Sequence, residues 1–234
     1  MVSHAKTDTR YREPLVAFAD ARDPLFRELK TLIGPHHLLP EDLLPGAKTV
    51  VAFFIPFAKE VIVAHRRAEG VAREWALAYV ETNRLIGDIC QEVKEWLGQE
   101  GIQAAYQKAT HNFDPVNLEA AWSHKSAAVI AGLGRFGHHR QVITPKGCAG
   151  RFGSFVIDAE IPPSPRPREE FCLHQKGSQC LYCVKACPVQ ALTEQDLDKQ
   201  ACYRRLLEVA EAYRDLGLCD VCGKCSLGPC AYYQ

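Results

Sequence analysis

Thiols carry most of the chemistry this sequence could perform. Nine of the eleven cysteines lie in the last quarter of the 234 residues: Cys172, Cys180, Cys183, Cys187, Cys202, Cys219, Cys222, Cys225 and Cys230. Cys180, Cys183 and Cys187 are spaced C-x2-C-x3-C, and Pro188 follows. That is most of the bacterial ferredoxin run, in which the thiolates of a tight loop reach the irons of one cluster and the last cysteine serves the other. Proline after it suits the start of a helix, where its missing N–H would have had no partner. The first cysteine of the run is replaced by Gly177, and Cys172, on a longer loop, is the nearest substitute. Two [4Fe-4S] clusters take eight thiolates, so nine cysteines leave one spare. Zinc also uses C-x2-C pairs but has no need of C-P after such a run. Disulfides fit poorly, because the chain can hold a core without staples and opens on the polar segment MVSHAKTDTRYREP, which is no secretory signal.

Composition narrows the classes further. The chain has 47% hydrophobic residues and equal numbers of basic and acidic residues, 28 of each. It can bury a sizeable core, and it lacks the overall basic charge of most nucleic-acid binders. No apolar run reaches the length of a membrane span. Free thiols and clusters together imply a reducing compartment, so a cytoplasmic location is expected.

The elements that must position these thiols can be read from periodicity. Residues 13–33 read as one or two helices broken near Pro24. Lys48–Pro56 is short, apolar and β-branched, which predicts a buried strand. Arg73 to about Gln99 predicts a long helix with one apolar stripe, beside which Cys90 is structural. Ile102–Lys108 reads as a strand, as do Ala127–Ala131 and Ser154–Ile161. His36 and His37 follow a Gly-Pro turn and read as surface residues. Residues 203–216 predict a helix between the two cysteine runs. Pro162–Pro167 is a stiff, proline-rich linker. It divides the chain into residues 1–165, a cofactor-binding α/β domain, and residues 166–234, the cluster domain. Cys148 sits in a glycine-rich loop and has no assigned role.

Gly132-x-Gly134-x-x-Gly137 matches the dinucleotide fingerprint, with Asp158 where a ribose-binding acid would stand. The context fails, because residues 138–145 read as a strand where a helix should open. The glycines are better explained by a backbone lying against a flat ligand or a packed neighbour. The expected cofactor site therefore runs along Gly132, Leu133, Gly134, Phe136, Gly137, Ile143 and Thr144, with the Cys172–Cys183 loop across from it.

Leu43–Val50, Trp122-Ser-His-Lys125 running into Ala131–Gly137, Ile143-Thr-Pro145 and the double cysteine motif occur in an order that resembles the epoxyqueuosine reductase family, relatives of the reductive dehalogenases. The resemblance covers roughly residues 39–230. It implies an α+β protein: a nitroreductase-like α/β domain binding cobalamin, then a ferredoxin-like domain with two [4Fe-4S] clusters. It implies Trp122, Ser123 and His124 as further cofactor contacts, although packing would also explain these residues. An isolated cysteine between the family's two runs matches Cys202, which makes Cys219 the spare. With the crossover rule, one cluster takes Cys172, Cys180, Cys183 and Cys230, and the other takes Cys187, Cys202, Cys222 and Cys225.

The implied activity is an iron–sulfur oxidoreductase that passes single electrons to a bound corrinoid, fed by a donor such as a ferredoxin or flavodoxin. Asp114 or Lys125 would supply a proton, with Glu119 closest to the family's acid in spacing. The alternative is a ferredoxin-like electron-transfer protein that binds no cobalamin. The family's helical-repeat domain, which helps hold tRNA, has no counterpart in these residues. With zero net charge, this points away from tRNA as a partner.

Overall fold

A computed structural model describes Val2 and residues 5–233. Its centre is a four-stranded antiparallel sheet in the order β1-β2-β8-β3. The strands are β1 (Leu15–Asp20), β2 (Thr49–Pro56), β3 (Ala104–Tyr106) and β8 (Gly150–Ile157). Every residue of β2 is buried, because both of its faces are covered. Val50, Ala52 and Phe54 pack with Phe26, Trp122, Ala127 and Ala128 on one side. Val51, Phe53 and Ile55 pack with Leu85, Ile86, Ile89 and Cys90 on the other. This is the two-residue alternation of a strand between two layers. The first layer is built from α1 (Pro24–Leu32) and α5 (His124–Ile130), and the second from α4 (Arg73–Gln99). Two short hairpins, β4–β5 (Phe113–Asp114 with Glu119–Ala120) and β6–β7 (Arg135–Phe136 with Val142–Ile143), stand off the sheet. The remaining helices are α2 (Pro40–Leu43), α3 (Lys59–Arg67), α6 (Tyr182–Lys185) and α7 (Lys199–Ala212).

The strand and helix predicted over 48–56 and 73–99 are observed within a residue of their expected bounds, and Cys90 is buried beside the α4 stripe. Two expected elements change type, and the strand expected over Ser154–Ile161 runs instead over Gly150–Ile157. Residues 15–20 form the edge strand β1, not a helix. Asp23 then caps α1 by accepting from the Leu25 N–H, and Pro24 opens that helix. The segment 127–131 belongs to helix α5. Its apolar run is too short for periodicity to tell a buried strand from a buried helix. Ser123 decides the matter by accepting from the Ser126 N–H as N-cap.

The end of α5 explains the first glycine of the fingerprint. Gly132 has φ +93°, its N–H reaches Val129 O, and the Leu133 N–H reaches Ala128 O. Those two bonds close the helix in a Schellman turn, for which glycine is the favoured residue. At Gly134 a Cβ would lie 2.2 Å from the Ile143 carbonyl oxygen. The space read as an approach for a flat ligand is thus filled by the β7 backbone. Gly134→Ala is expected to cost ~1–3 kcal/mol through this overlap. Urea unfolding checks it, and an unchanged midpoint contradicts it.

The Pro162–Pro167 segment lies along the exposed edge of β1. The Phe18 N–H donates to Ser164 Oγ, and the Ser164 N–H donates to Phe18 O. Arg166 donates to Ile130 O at 2.8 Å and pairs with Asp23. The prolines therefore cover a sheet edge that would otherwise offer unpaired backbone groups. Beyond this segment, Val209, Cys219, Val221, Leu227 and Ala231 share one apolar cluster with Val61, Ile62, Trp75, Ala76 and Tyr79 of α3 and α4. Along α7 only Val209 is buried, and Leu207 is 47% exposed.

Candidate functional site

The second cysteine run packs on α3 and α4, with Cys219 in the apolar cluster of those helices and Cys222 packed against it. The last turn of α3 clamps the second cysteine run. His65 is fully buried and stacks on Trp75 with ring centroids 4.5 Å apart. Its Nδ1 accepts from the Ala72 N–H, so Nε2–H donates to Cys222 O at 2.7 Å. Arg66 donates to Leu227 O, and Lys224 donates back to His65 O. These cationic groups satisfy carbonyls that would otherwise be left unpaired at the helix end and in the loop. On the other side, the Cys148 N–H donates to Cys230 O and the Ala149 N–H to Ala231 O, tying the last cysteine to the loop before β8.

The thiols fall into two neighbouring groups. Cys172, Cys180, Cys183 and Cys230 line one small cavity, together with Cys225, His139 and Tyr182. Burial pushes the Cys183 thiol up to about 11, with Cys230 and Cys172 adding to the rise. In the second group, burial and the nearby Cys222 and Cys187 thiols raise Cys202. Burial raises Cys225 to about 12, and Cys222, Cys202 and Cys183 add to it. Cys225 therefore borders both groups. Cys183, Cys202, Cys222 and Cys225 resist ionising because the resulting charges would repel in a poorly solvated space, whereas Cys230 is lowered by its contacts with Cys148 and then His139. Iron would supply the missing positive charge, since thiolate is the form that binds it. The donor set thus fits two clusters of four thiolates. Cys219 stands apart: it is fully buried, donates toward Ala76 O, and is raised to about 11 by burial, then by Asp220 and Asp215, with no thiol contributing.

The residues expected to touch a second cofactor are mostly committed to the core. Trp122 is buried, and its Nε1–H donates to Ser154 Oγ. Ser154 in turn donates to His124 Nδ1, while His124 Nε2–H donates to Lys108 O. Ser123 caps α5, and Leu133, Ile143 and Thr144 are buried, Thr144 donating to Gly147 O. Gly132 packs on the Pro165 backbone, and Gly134 and Gly137 pack on Ile143. Among these residues the Phe136 side chain faces outward, at 36% exposure. His37 also departs from its surface assignment. It is fully buried, stacks over Trp122, and accepts from the Ser123 N–H.

Asp114 is exposed at the hairpin tip and accepts from the Asn117 and Val116 N–H groups, which hold its carboxyl below the usual range. At neutral pH it is a carboxylate in a turn. Glu119 lies 3.7 Å from His36 Nδ1. Lys125 donates to Arg140 O. Burial and Arg151 lower its pKa, while the Cys225 and Cys202 thiols oppose that shift. Of the three it is the one near the thiols. The pattern missed by sequence reading is His139–Cys148–Cys230, whose ligand atoms all lie within 4.8 Å of one another. His139 and Cys148 are distant in sequence from the cysteine runs, and no spacing rule connects them.

Burial lowers the His124 pKa to about 4, from an ordinary value near 6.5. The folded state holds it neutral, so unfolding takes up a proton between those values. Its contribution is present above pH ~6.5 and is lost as the pH falls toward ~4. The slope is about 1.4 kcal/mol per pH unit, to a total of ~3 kcal/mol. His124→Gln should flatten this fall relative to wild type in unfolding experiments at pH 7 and pH 5, and parallel slopes contradict the assignment.

No family model matches the chain. It is 25% identical over 200 residues to an epoxyqueuosine reductase of Bacillus cereus, covering 78% of this chain and 48% of that protein. It is 26% identical over 178 residues to one of Synechocystis sp., covering 71% and 53%. The chain thus spans about half the length of these curated relatives. An epoxyqueuosine reductase solved with an epoxyqueuosine-modified tRNA-Tyr stem loop superposes with TM-score 0.60 at 17% identity, over 100% of this chain and 64% of the other. A catabolic reductive dehalogenase superposes with TM-score 0.52 at 18% identity, over 76% and 23%. The expectation that pointed away from tRNA is overturned by the stem-loop complex. The part of that protein shared with this chain belongs to a tRNA-bound molecule, and a net charge of zero says nothing of local surface charge. Among the described residues no helix is long and apolar enough to cross a membrane. In sequence the chain is similar to epoxyqueuosine reductases, and in fold it is similar to them and to a reductive dehalogenase.

Proposed function

We propose that the protein is an iron–sulfur reductase that moves single electrons through two [4Fe-4S] clusters held by residues 166–234, beside a nitroreductase-like α/β half. The observation carrying this reading is the arrangement of eight cysteines in two adjoining groups, with Cys225 between them. Clusters of this type supply one-electron chemistry when bound. The chain's own part is to present thiolates, exclude water with Trp75, Tyr182 and Leu227, and fix the second run through His65, Arg66 and Lys224. Lys125, near the Cys202 group, is the proton donor this reading favours. An external ferredoxin or flavodoxin would supply the electrons. The relative's epoxyqueuosine-modified tRNA is the substrate class to assay first.

Cobalamin is the acceptor implied by the resemblance, and one superposable dehalogenase structure concerns B12-dependent dehalogenation. The contacts expected for it do not fit, because Trp122, His124, Ile143, Thr144 and the three glycines are filled or spent within the protein. A corrinoid on this chain would need other contacts. The same observation favours a second reading, an electron-transfer protein that binds no cobalamin. Anaerobic, dithionite-reduced protein titrated with hydroxocobalamin separates the two. Saturable binding with reoxidation of the clusters supports the corrinoid acceptor. Unchanged spectra at millimolar cobalamin leave the electron-transfer protein.

A further inference from the structure

We propose that His139 is a positioning residue for one cluster, donating a ring N–H to the thiolate of Cys230 and so setting the potential of the cluster that Cys230 holds. The inference rests on the two-cluster reading.

The tautomer is fixed by the backbone. The Gln141 N–H points at His139 Nδ1 at 3.1 Å, so Nδ1 is the acceptor. In the neutral ring the proton must then sit on Nε2. Nε2 lies 3.3 Å from Cys230 Sγ. A sulfur acceptor at that distance takes a hydrogen bond, and a thiolate takes a stronger one. His139 is 4% exposed, so water competes little for either partner.

The loop is built for this contact. The Gly137 N–H donates to Gln141 O, the Arg140 N–H donates to Gly137 O, and Arg140 takes φ +60° to close the turn. A Cβ on Gly137 would lie 3.0 Å from His139 Cε1 and 2.6 Å from Ile143 Cδ1. The last glycine of the fingerprint thus leaves room for the imidazole. Cys230 is pinned from the other side by the Cys148 N–H on its carbonyl oxygen. Donor and acceptor are held by separate segments, and neither has to reorganise when charge arrives.

Adding an electron to a cluster places more negative charge on its sulfurs. A fixed N–H donor stabilises that reduced form and raises the potential. The test is an EPR-monitored redox titration of wild type, His139→Phe and His139→Gln, each with its iron counted. His139→Phe keeps the bulk and removes the donor. One midpoint should move negative by about a tenfold change in the one-electron equilibrium constant, ~59 mV, and the other should stay. His139→Gln restores an N–H and should recover most of the shift. Unmoved midpoints in His139→Phe at full iron content overturn the proposal, as does a His139→Gln shift equal to that of His139→Phe.

If His139→Phe loses iron, wild type labelled with 15N-histidine decides. Electron–nuclear double resonance on the reduced cluster should show coupling to a histidine nitrogen and to one exchangeable proton, and neither coupling overturns the proposal. A wild type that binds no iron would instead sink the two-cluster reading itself.

Discussion

Cys202→Ala should lose about half the iron of the anaerobically loaded protein, and Cys219→Ala should keep all of it. The two cysteines flank the same stretch of chain and both are sheltered, so sequence position alone does not separate them. Their surroundings do. Cys202 is raised by burial and then by the Cys222 and Cys187 thiols, whereas Cys219 meets Asp220, Asp215 and the Ala76 carbonyl oxygen. A cluster missing one thiolate leaves an open iron site and is lost or degraded, so the loss comes as a whole cluster. Cys180→Ala should likewise cost the other half. Iron and acid-labile sulfide assays on matched preparations check this. Retained iron in Cys202→Ala together with halved iron in Cys219→Ala contradicts the ligand set.

Removing both clusters should abolish the fold of residues 168–234 and spread from there. The region has little regular structure of its own beyond α6, α7 and short 3₁₀ turns. Apart from its ties to α3 and to the loop before β8, bound clusters would fix it through the thiols, and metal binding energy in such a site is folding energy. Because Val209, Val221, Leu227 and Ala231 share a cluster with α3 and the first turns of α4, protection should fall there too. The sheet has separate cores on its two faces and should hold. Hydrogen exchange on chelator-treated protein reads the result directly. The expected pattern is fast exchange over 168–234 and over 59–79, with slow exchange in β2 and β8. Undiminished protection over 168–234 would show that packing alone sustains the region.

Much of this arrangement was legible in the sequence, and the limits have physical causes. The β2 strand and the α4 helix declared themselves through long, clean periodicity, and the cysteine runs through a spacing few other sites require. The segment 127–131 misled because five apolar residues suit a buried strand and a buried helix equally, and only the Ser123 cap tells them apart. The glycines misled in a related way. Small residues mark a close approach without saying what approaches, and here it is Ile143, Pro165 and the His139 ring. His36 and His37 look equivalent on a turn, yet the Trp122 ring and the Ser123 N–H from elsewhere in the chain engage only the second, which is fully buried. Contacts between distant segments, such as His139 with Cys230, leave no local pattern to read.

In the proposed reductase, eight of these cysteines hold two four-iron clusters. Mössbauer spectroscopy on 57Fe-labelled protein, purified anaerobically and paired with iron and sulfide analysis, tests it most directly. The expected result is about eight iron and eight sulfide per chain, all in [4Fe-4S]²⁺ centres as isolated and converting on reduction. A colourless protein carrying zinc, or one whose iron stops at about four per chain, would contradict it.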